Sequence, residues 1–423
     1  MRYLVPRQCA LLAAALTAAG CGEIDVVGQV ELGPVRDAAM SITGARDAAA
    51  ASDATVLRSP SEASELGLRT CEQAPSVFAQ ALCACERAAV FGGLDTASLA
   101  FAERLEDEAD EGSDAVAHVH VSGPLEVTGL SGTVAGDVKT IGAGVTVLNG
   151  DGGRIEGNLF ASTDVGVTGQ VSIAGDAFLT GGLIGPGQVA VEGDLHTESP
   201  QDGSAARVEL GGEALVESIA LSRPCLCDAD STLDIATFVA RARSDNDNRE
   251  TAFEPTALST SVSEPLSLPG GRLFVHAIDA SGDLRLRVDG QTTLFVAGDM
   301  RVAGDLQADI GPDGELAIFV AGDAALGGAV TLGDERSSIG RLYLAGGADM
   351  DGPARGRGTG RATARGQEAR WRVHLYAPRL ALSLGGHAEV VGSLYVRSLL
   401  ALGGLSLHYD HATATHTEVC GGT

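Results

Sequence analysis

The sequence predicts an all-β-dominated chain, a right-handed parallel β-helix carrying a small disulfide-stapled N-terminal helical cap and a helical insertion. The first observation behind this is a ladder of apolar triplets: Leu273-Phe274-Val275, Leu294-Phe295-Val296, Ile318-Phe319-Val320, Leu342-Tyr343-Leu344, Val373-His374-Leu375 and Leu394-Tyr395-Val396. Their middle members recur at intervals of 21, 24, 24, 31 and 21 residues. A unit of that length with strand-like alternation cannot bury its own apolar face and must stack on its neighbours. The second is a Gly-Asp/Asn ladder at Gly136-Asp137, Gly157-Asn158, Gly175-Asp176 and Gly193-Asp194, spaced 21, 18 and 18 residues apart. Around its last member Val189, Val191 and Leu195 alternate with Ala190, Glu192, Asp194 and His196, a period of two within the longer repeat. The third is composition: 57 glycines with only 4% aromatic residues suit many tight corners around a thin aliphatic core.

Residues 1–20 read as an export signal. Arg2 and Arg7 precede the apolar run Leu11 to Leu16, and Ala18-Ala19-Gly20 stands directly before Cys21. The pattern resembles a bacterial lipoprotein signal, with Leu16 two positions earlier than that family prefers. The resemblance implies lipidation at Cys21 and a lipid anchor in the bacterial envelope, in the outer membrane and on either its periplasmic or its surface face; ordinary secretion after signal cleavage is the alternative. No later stretch is long and apolar enough to span a bilayer. Residues 21–70, rich in Ala, Asp, Ser and Gly, read as a flexible tether.

In residues 71–112 the spacing of Val77, Ala81, Leu82 and Cys85, continued by Leu99, Phe101, Ala102 and Leu105, predicts the helical cap that a solenoid end requires. Residues 116–221 form the first part of the β-helix. Their Asp and Asn residues are expected to bond local backbone at the corners. Residues 222–265 interrupt the coils with an amphipathic helix around Leu233, Ile235, Phe238 and Val239, and with the run Ser244-Asp245-Asn246-Asp247-Asn248. Asp228, Asp230 and Asp234, or the run from Asp245 to Asn248, invite a calcium reading, but neither matches an EF-hand loop. Capping by Asp230 or Ser231 and an Asx turn are the expectation. Coils resume over 266–410, and 411–423 is a tail.

Setting aside Cys9 and Cys21, six cysteines remain: Cys71, Cys83, Cys85, Cys225, Cys227 and Cys420. An even number in an exported chain reads as three disulfides of open connectivity. Zinc is the alternative, disfavoured by the Cys-x-Cys spacing, and no metal or cofactor site is expected. Each Cys-x-Cys cysteine is expected to reach a distant partner.

The net charge of −27, or −29 once Arg2 and Arg7 are removed, argues against nucleic acid as a partner. A single lysine, Lys139, leaves no basis for Schiff-base or P-loop chemistry. No nucleophile elbow, His-Glu-x-x-His or dinucleotide fingerprint occurs. His408, Asp410, His411 and His416 read as exposed polar residues at a strand end rather than as a metal site.

By strand parity Phe274, Phe295, Phe319, Tyr343, His374 and Tyr395 form a stripe facing away from the core. It either presents rings to a sugar or a protein, or is covered by the inserted helix through Phe238; the covered arrangement is expected, since buried rings need no ligand. Arg355, Arg357, Arg361 and Arg365, followed by Arg370 and Arg372, lie in a Gly-rich insertion. They are either loop composition or a contact for an anionic glycan or acidic protein.

The segment Val373-His374-Leu375-Tyr376-Ala377-Pro378, with Val391-Gly392-Ser393-Leu394-Tyr395 and Leu407-His408-Tyr409-Asp410, resembles the C-terminal domain of surface lipoproteins of myxobacterial type. These are similar to bactofilins and to parts of pilus-associated adhesins. The resemblance implies a polymer-forming or adhesive relative and supplies no catalytic residues. Polymerisation is not inherited, because bactofilins are short and intracellular, so self-association stays open. The expected function is a non-enzymatic envelope element, structural or adhesive, with polysaccharide or other envelope proteins as partners. A polysaccharide-binding or polysaccharide-cleaving β-helix is the alternative.

Overall fold

The computed structural model describes residues 77–98, 116–200, 206–228, 231–254, 265–334, 339–346, 348–349, 361–364 and 368–410. They form a β-solenoid of about 12 turns in which strands make up 55% of the described residues and neighbouring coils pair in parallel. The signal, Cys21, the tether, Cys71, Cys420, His411 and His416 lie outside the described residues. So do Arg355, Arg357 and Arg365, and the side chain of Arg361.

The triplet ladder is the register of one face. Val275 pairs with Val296, Val296 with Val320, and Val320 with Leu344, all fully buried. Stacked at about 4.8 Å, such a column gains about 1.5–3 kcal/mol for each side chain taken wholly out of water. Strands Ile278–Ala280, Met300–Val302 and Ala324–Leu326 make a second face. Leu284–Val288, Leu306–Ile310 and Val330–Leu332 make a third. Glycine at the corners is needed where coils touch: a Cβ on Gly322 would lie 2.5 Å from the carbonyl carbon of Gly298.

The corner carboxylates bond not local backbone, as expected, but the coil that follows. Asp137 Oδ1 accepts from the Asn158 amide, Asn158 Oδ1 from Asp176, Asp176 Oδ1 from Asp194 and Asp194 Oδ1 from Glu213, each at 2.8 Å. Asp283, Asp299 and Asp305 do the same in the second stack, the coils of residues 266–410, at 2.9–3.1 Å. The physical reason is that a corner amide, turned out of the strand ladder, needs an acceptor, and a carboxylate one coil away supplies it.

The described part of the N-terminal cap, residues 77–98, is neither helical nor terminal. It begins in a short turn at Phe78 and continues as strands Leu82–Phe91 and Leu94–Ser98. Leu82–Phe91 pairs on one side with His387–Ala401 and on the other with Val119–Val121 and Leu125–Thr128. This segment is therefore a coil in the middle of the stack, splicing the end of the second half onto the start of the first. Leu82, Ala84, Ala88 and Val90 face inward, and a register shift between Ala84 and Arg87 hides their alternation.

The stack is thus continuous in space but permuted along the chain. Its two outermost coils are 206–216 and 266–280. The described residues between them, 217–228 and 231–254, are not an interruption of the coils but a strap running from one outer coil towards the other. Tyr409 OH donates to the Phe78 carbonyl at 2.8 Å, so both ends of the described chain meet at the splice. The strap carries the only helix among the described residues, Ile235–Ala242. It starts later than expected and is capped by Asp234, which accepts from the Thr237 amide at 3.1 Å. No described helix is long and apolar enough to cross a membrane.

Candidate functional site

The pairing register joins the stripe into one column running the length of the stack: Phe274, Phe295, Phe319, Tyr343, Tyr376, Tyr395, Cys83, His120, Lys139, Phe160, Phe178, His196 and Leu215. One rung differs from the sequence reading. Tyr343 pairs with Tyr376, while His374 pairs with Arg341 one dyad earlier. The insertion between residues 344 and 371 conceals this shift, because Val373-His374-Leu375 mimics the triplet.

The strap covers the second-stack rings, as expected. Phe319 and Tyr343 stack at 4.2 Å, and Phe238 meets Phe319 edge-on at 6.3 Å. Tyr376 OH accepts from the Leu233 amide at 2.9 Å, and Tyr395 OH donates to the Leu226 carbonyl at 2.6 Å. From the N-terminal side Phe78 packs on Tyr343 and His374. His374, fully buried, bonds Ser393 Oγ at 2.8 Å; burial, reinforced by Arg341 and Arg372, pulls its pKa down to about 3. Burial also pushes the Tyr343 phenol up. These rings therefore offer no surface to a ligand.

Of the run from Asp245 to Asn248, Asp247 and Asn248 cap the open edge of the outer coil. The Asp247 carboxylate accepts from the Arg272 amide at 2.7 Å and its amide donates to the Arg272 carbonyl at 2.8 Å. The Asn248 side chain makes both of its bonds to Phe274, Oδ1 accepting from the amide at 2.9 Å and Nδ2 donating to the carbonyl at 2.7 Å. The side chains that invited a calcium reading thus serve as a substitute strand.

At the splice the strap is stapled by Cys83–Cys225 and Cys85–Cys227, each spanning 142 residues. Cys-x-Cys facing Cys-x-Cys works because alternate residues of a strand share a face. The sulfurs of Cys83, Cys225 and Cys227 lie within 4.8 Å of one another, the one metal-like grouping among the described residues, but all three are spent in disulfides. His120, pairing with Cys83, is held down to about 3 by burial and by its neighbours His118 and Lys139.

Of the remaining sequence candidates, Arg370 and His408 both approach Glu389, at 3.4 and 3.9 Å, and Asp410 is buried. Sequence reasoning missed the buried Arg341, which faces Glu315 at 3.6 Å. It also missed a groove of about 350 Å³ on a different face of the splice. Two rungs build the groove: Ala381, Ser398 and Arg87, then Ser383, Leu400, Ala89 and Glu126. The small Ala and Ser side chains lower the floor, while Arg87, Phe91 and Glu126 stand at its rim. No short motif marks it, because its residues are drawn from positions 87–126 and 381–400.

Residues 228–416 match a family described as a domain of unknown function (DUF7305). The match takes in the second stack and most of the strap. No curated protein and no solved structure matches the chain.

Proposed function

We propose that the chain is a non-enzymatic β-solenoid tethered to the bacterial envelope through Cys21, where it acts as a structural or adhesive surface element. The observation that carries this reading is the investment of reactive-looking groups in stacking. Corner carboxylates hold the amides of the following coil, four cysteines staple the strap, and the second-stack rings lie beneath it. A chain so committed to holding its coils together suits load-bearing or display, and the signal-like segment before Cys21 supplies the attachment.

Intact-mass analysis of membrane fractions should find acyl chains on Cys21 and loss of residues 1–20. Cells displaying the chain should attach to surfaces, and Cys21→Ser should abolish that attachment without altering the melting of the folded part. Recovery of unmodified soluble protein, or attachment indifferent to Cys21→Ser, would overturn the proposal.

A further inference from the structure

We infer that the groove at the splice is a binding site for a short stretch of neutral hexose polysaccharide, an inference that rests on the adhesive reading and gives it a ligand. The volume, about 350 Å³, falls at the lower end of the range of roughly 300–1,000 Å³ typical of small-ligand sites. Its chemistry is more telling than its size. Arg87 and Glu126 have no ion-pair partner among the described residues, whereas Arg154, Arg272 and Arg301 each hold a carboxylate at 2.6–2.7 Å. The hydroxyls of Ser383 and Ser398, on the floor, likewise bond no other described residue. Phe91 is 40% exposed beside them, in a molecule that covers most of its other rings.

A pyranose meets each of these groups. Its axial C–H face is apolar and lies flat on an aromatic ring, and its hydroxyls donate to a carboxylate and accept from a guanidinium. Serine hydroxyls serve in either direction. One cation and one anion leave the groove with no net charge, which suits an uncharged ligand. A chain of net charge −27 repels polyanions at long range, which sets uronate polymers and nucleic acids aside. The three strands beneath the groove shift register together, at Ala84/Arg87 and Ala377/Ala381 against Val396 and Ser398. Bulges of this kind re-aim side chains next to sites.

The test is titration of the purified, oxidised protein with cellotetraose, followed by calorimetry and by chemical-shift changes, with tetragalacturonate as the charged counterpart. Cellotetraose should bind with little dependence on salt. Phe91→Ala should weaken binding about tenfold or more, and Arg87→Ala and Glu126→Gln should each weaken it several-fold. All three positions are at the rim, so melting should stay unchanged, and shift changes should map to residues 87–91 and 398–400. Absence of cellotetraose binding, tighter binding of tetragalacturonate, or binding unaffected by both Phe91→Ala and Arg87→Ala would overturn the inference. Binding by the purified protein and attachment by cells are separate readouts. Loss of the Cys21-dependent attachment with cellotetraose binding intact would fault the tether and leave the groove standing.

Discussion

The same column of side chains behaves in opposite ways in the two halves of the stack. In the second half Phe274, Phe295, Phe319, Tyr343, Tyr376 and Tyr395 are almost wholly buried. In the first half Lys139, Phe160, Phe178 and His196 occupy equivalent rungs and are only half-buried. Their rings still stack closely, Phe160 on Phe178 at 5.0 Å and Phe178 on His196 at 4.3 Å. The difference lies in the strap. Over the second half it lays down Leu233, Ile235, Phe238 and Val239, all buried. Over the first half it contributes polar contacts at the surface: Glu217 to His196 at 2.7 Å and Ser222 to Lys139 at 3.4 Å. A solenoid face is thus made core or surface by what crosses it, and the coil sequence sets only the stacking.

The sharpest way to break this comparison is a matched pair of substitutions. Phe319→Ser should cost about 3–5 kcal/mol, the range for emptying a buried phenylalanine site, while Phe160→Ser should cost about 1 kcal/mol or less. Equal losses in denaturant titrations would show that strap coverage does not distinguish the halves. Next in size is the staple. Replacing Cys83 and Cys225 together with serine should remove about 2–5 kcal/mol. Hydrogen exchange should then rise in the strap and around Phe319, with the Phe160–Phe178 region little changed; uniform exchange along the stack would contradict the comparison.

The third test concerns pH, where the part assigned to any one residue is smaller. His120 and His374 are held neutral in the folded chain, with values lowered to about 3 from 6.5. Between those values the unfolded chain binds protons that the folded chain does not. Stability is therefore full above pH 6.5 and falls as pH drops, by about 1.4 kcal/mol per pH unit for each histidine. Melting followed from pH 7 to 5 should show that slope, and His120→Asn should reduce it by about half. A slope unchanged in the variant would remove His120 from the account.

Much of the second stack was legible because a triplet with an aromatic centre survives any loop length between repeats. The corner acids were legible as a ladder, though not in their partners, since sequence spacing does not say whether a carboxylate bonds its own coil or the next. The permutation was not legible at all. Strand pairing carries no memory of chain order, and the splicing strand Leu82–Phe91 carries three Ala with Leu82, Glu86 and Arg87, all good helix formers. That ambiguity, together with the bulge between Ala84 and Arg87, produced the reading of a helical cap. The cysteines declared that distant segments meet, but fifteen possible connectivities hid which ones. The groove stayed invisible because its floor is defined by small residues, whose contribution is the space they leave.

The meeting of Phe78 and Tyr409 at the splice has a bearing on durability. In a solenoid whose chain ends sit on its outermost coils, unravelling begins there, one coil peeling away and releasing a free end. Here both outermost coils lie in the interior of the chain, and each is joined through the strap to disulfides at mid-stack. Peeling one opens a tethered loop, which gains less conformational freedom than a loose terminus. Fraying from the tips is thereby restrained, and at the splice each strand is hydrogen-bonded on both sides, so resistance to proteases rests on the closure of the strap as well as on the coils themselves.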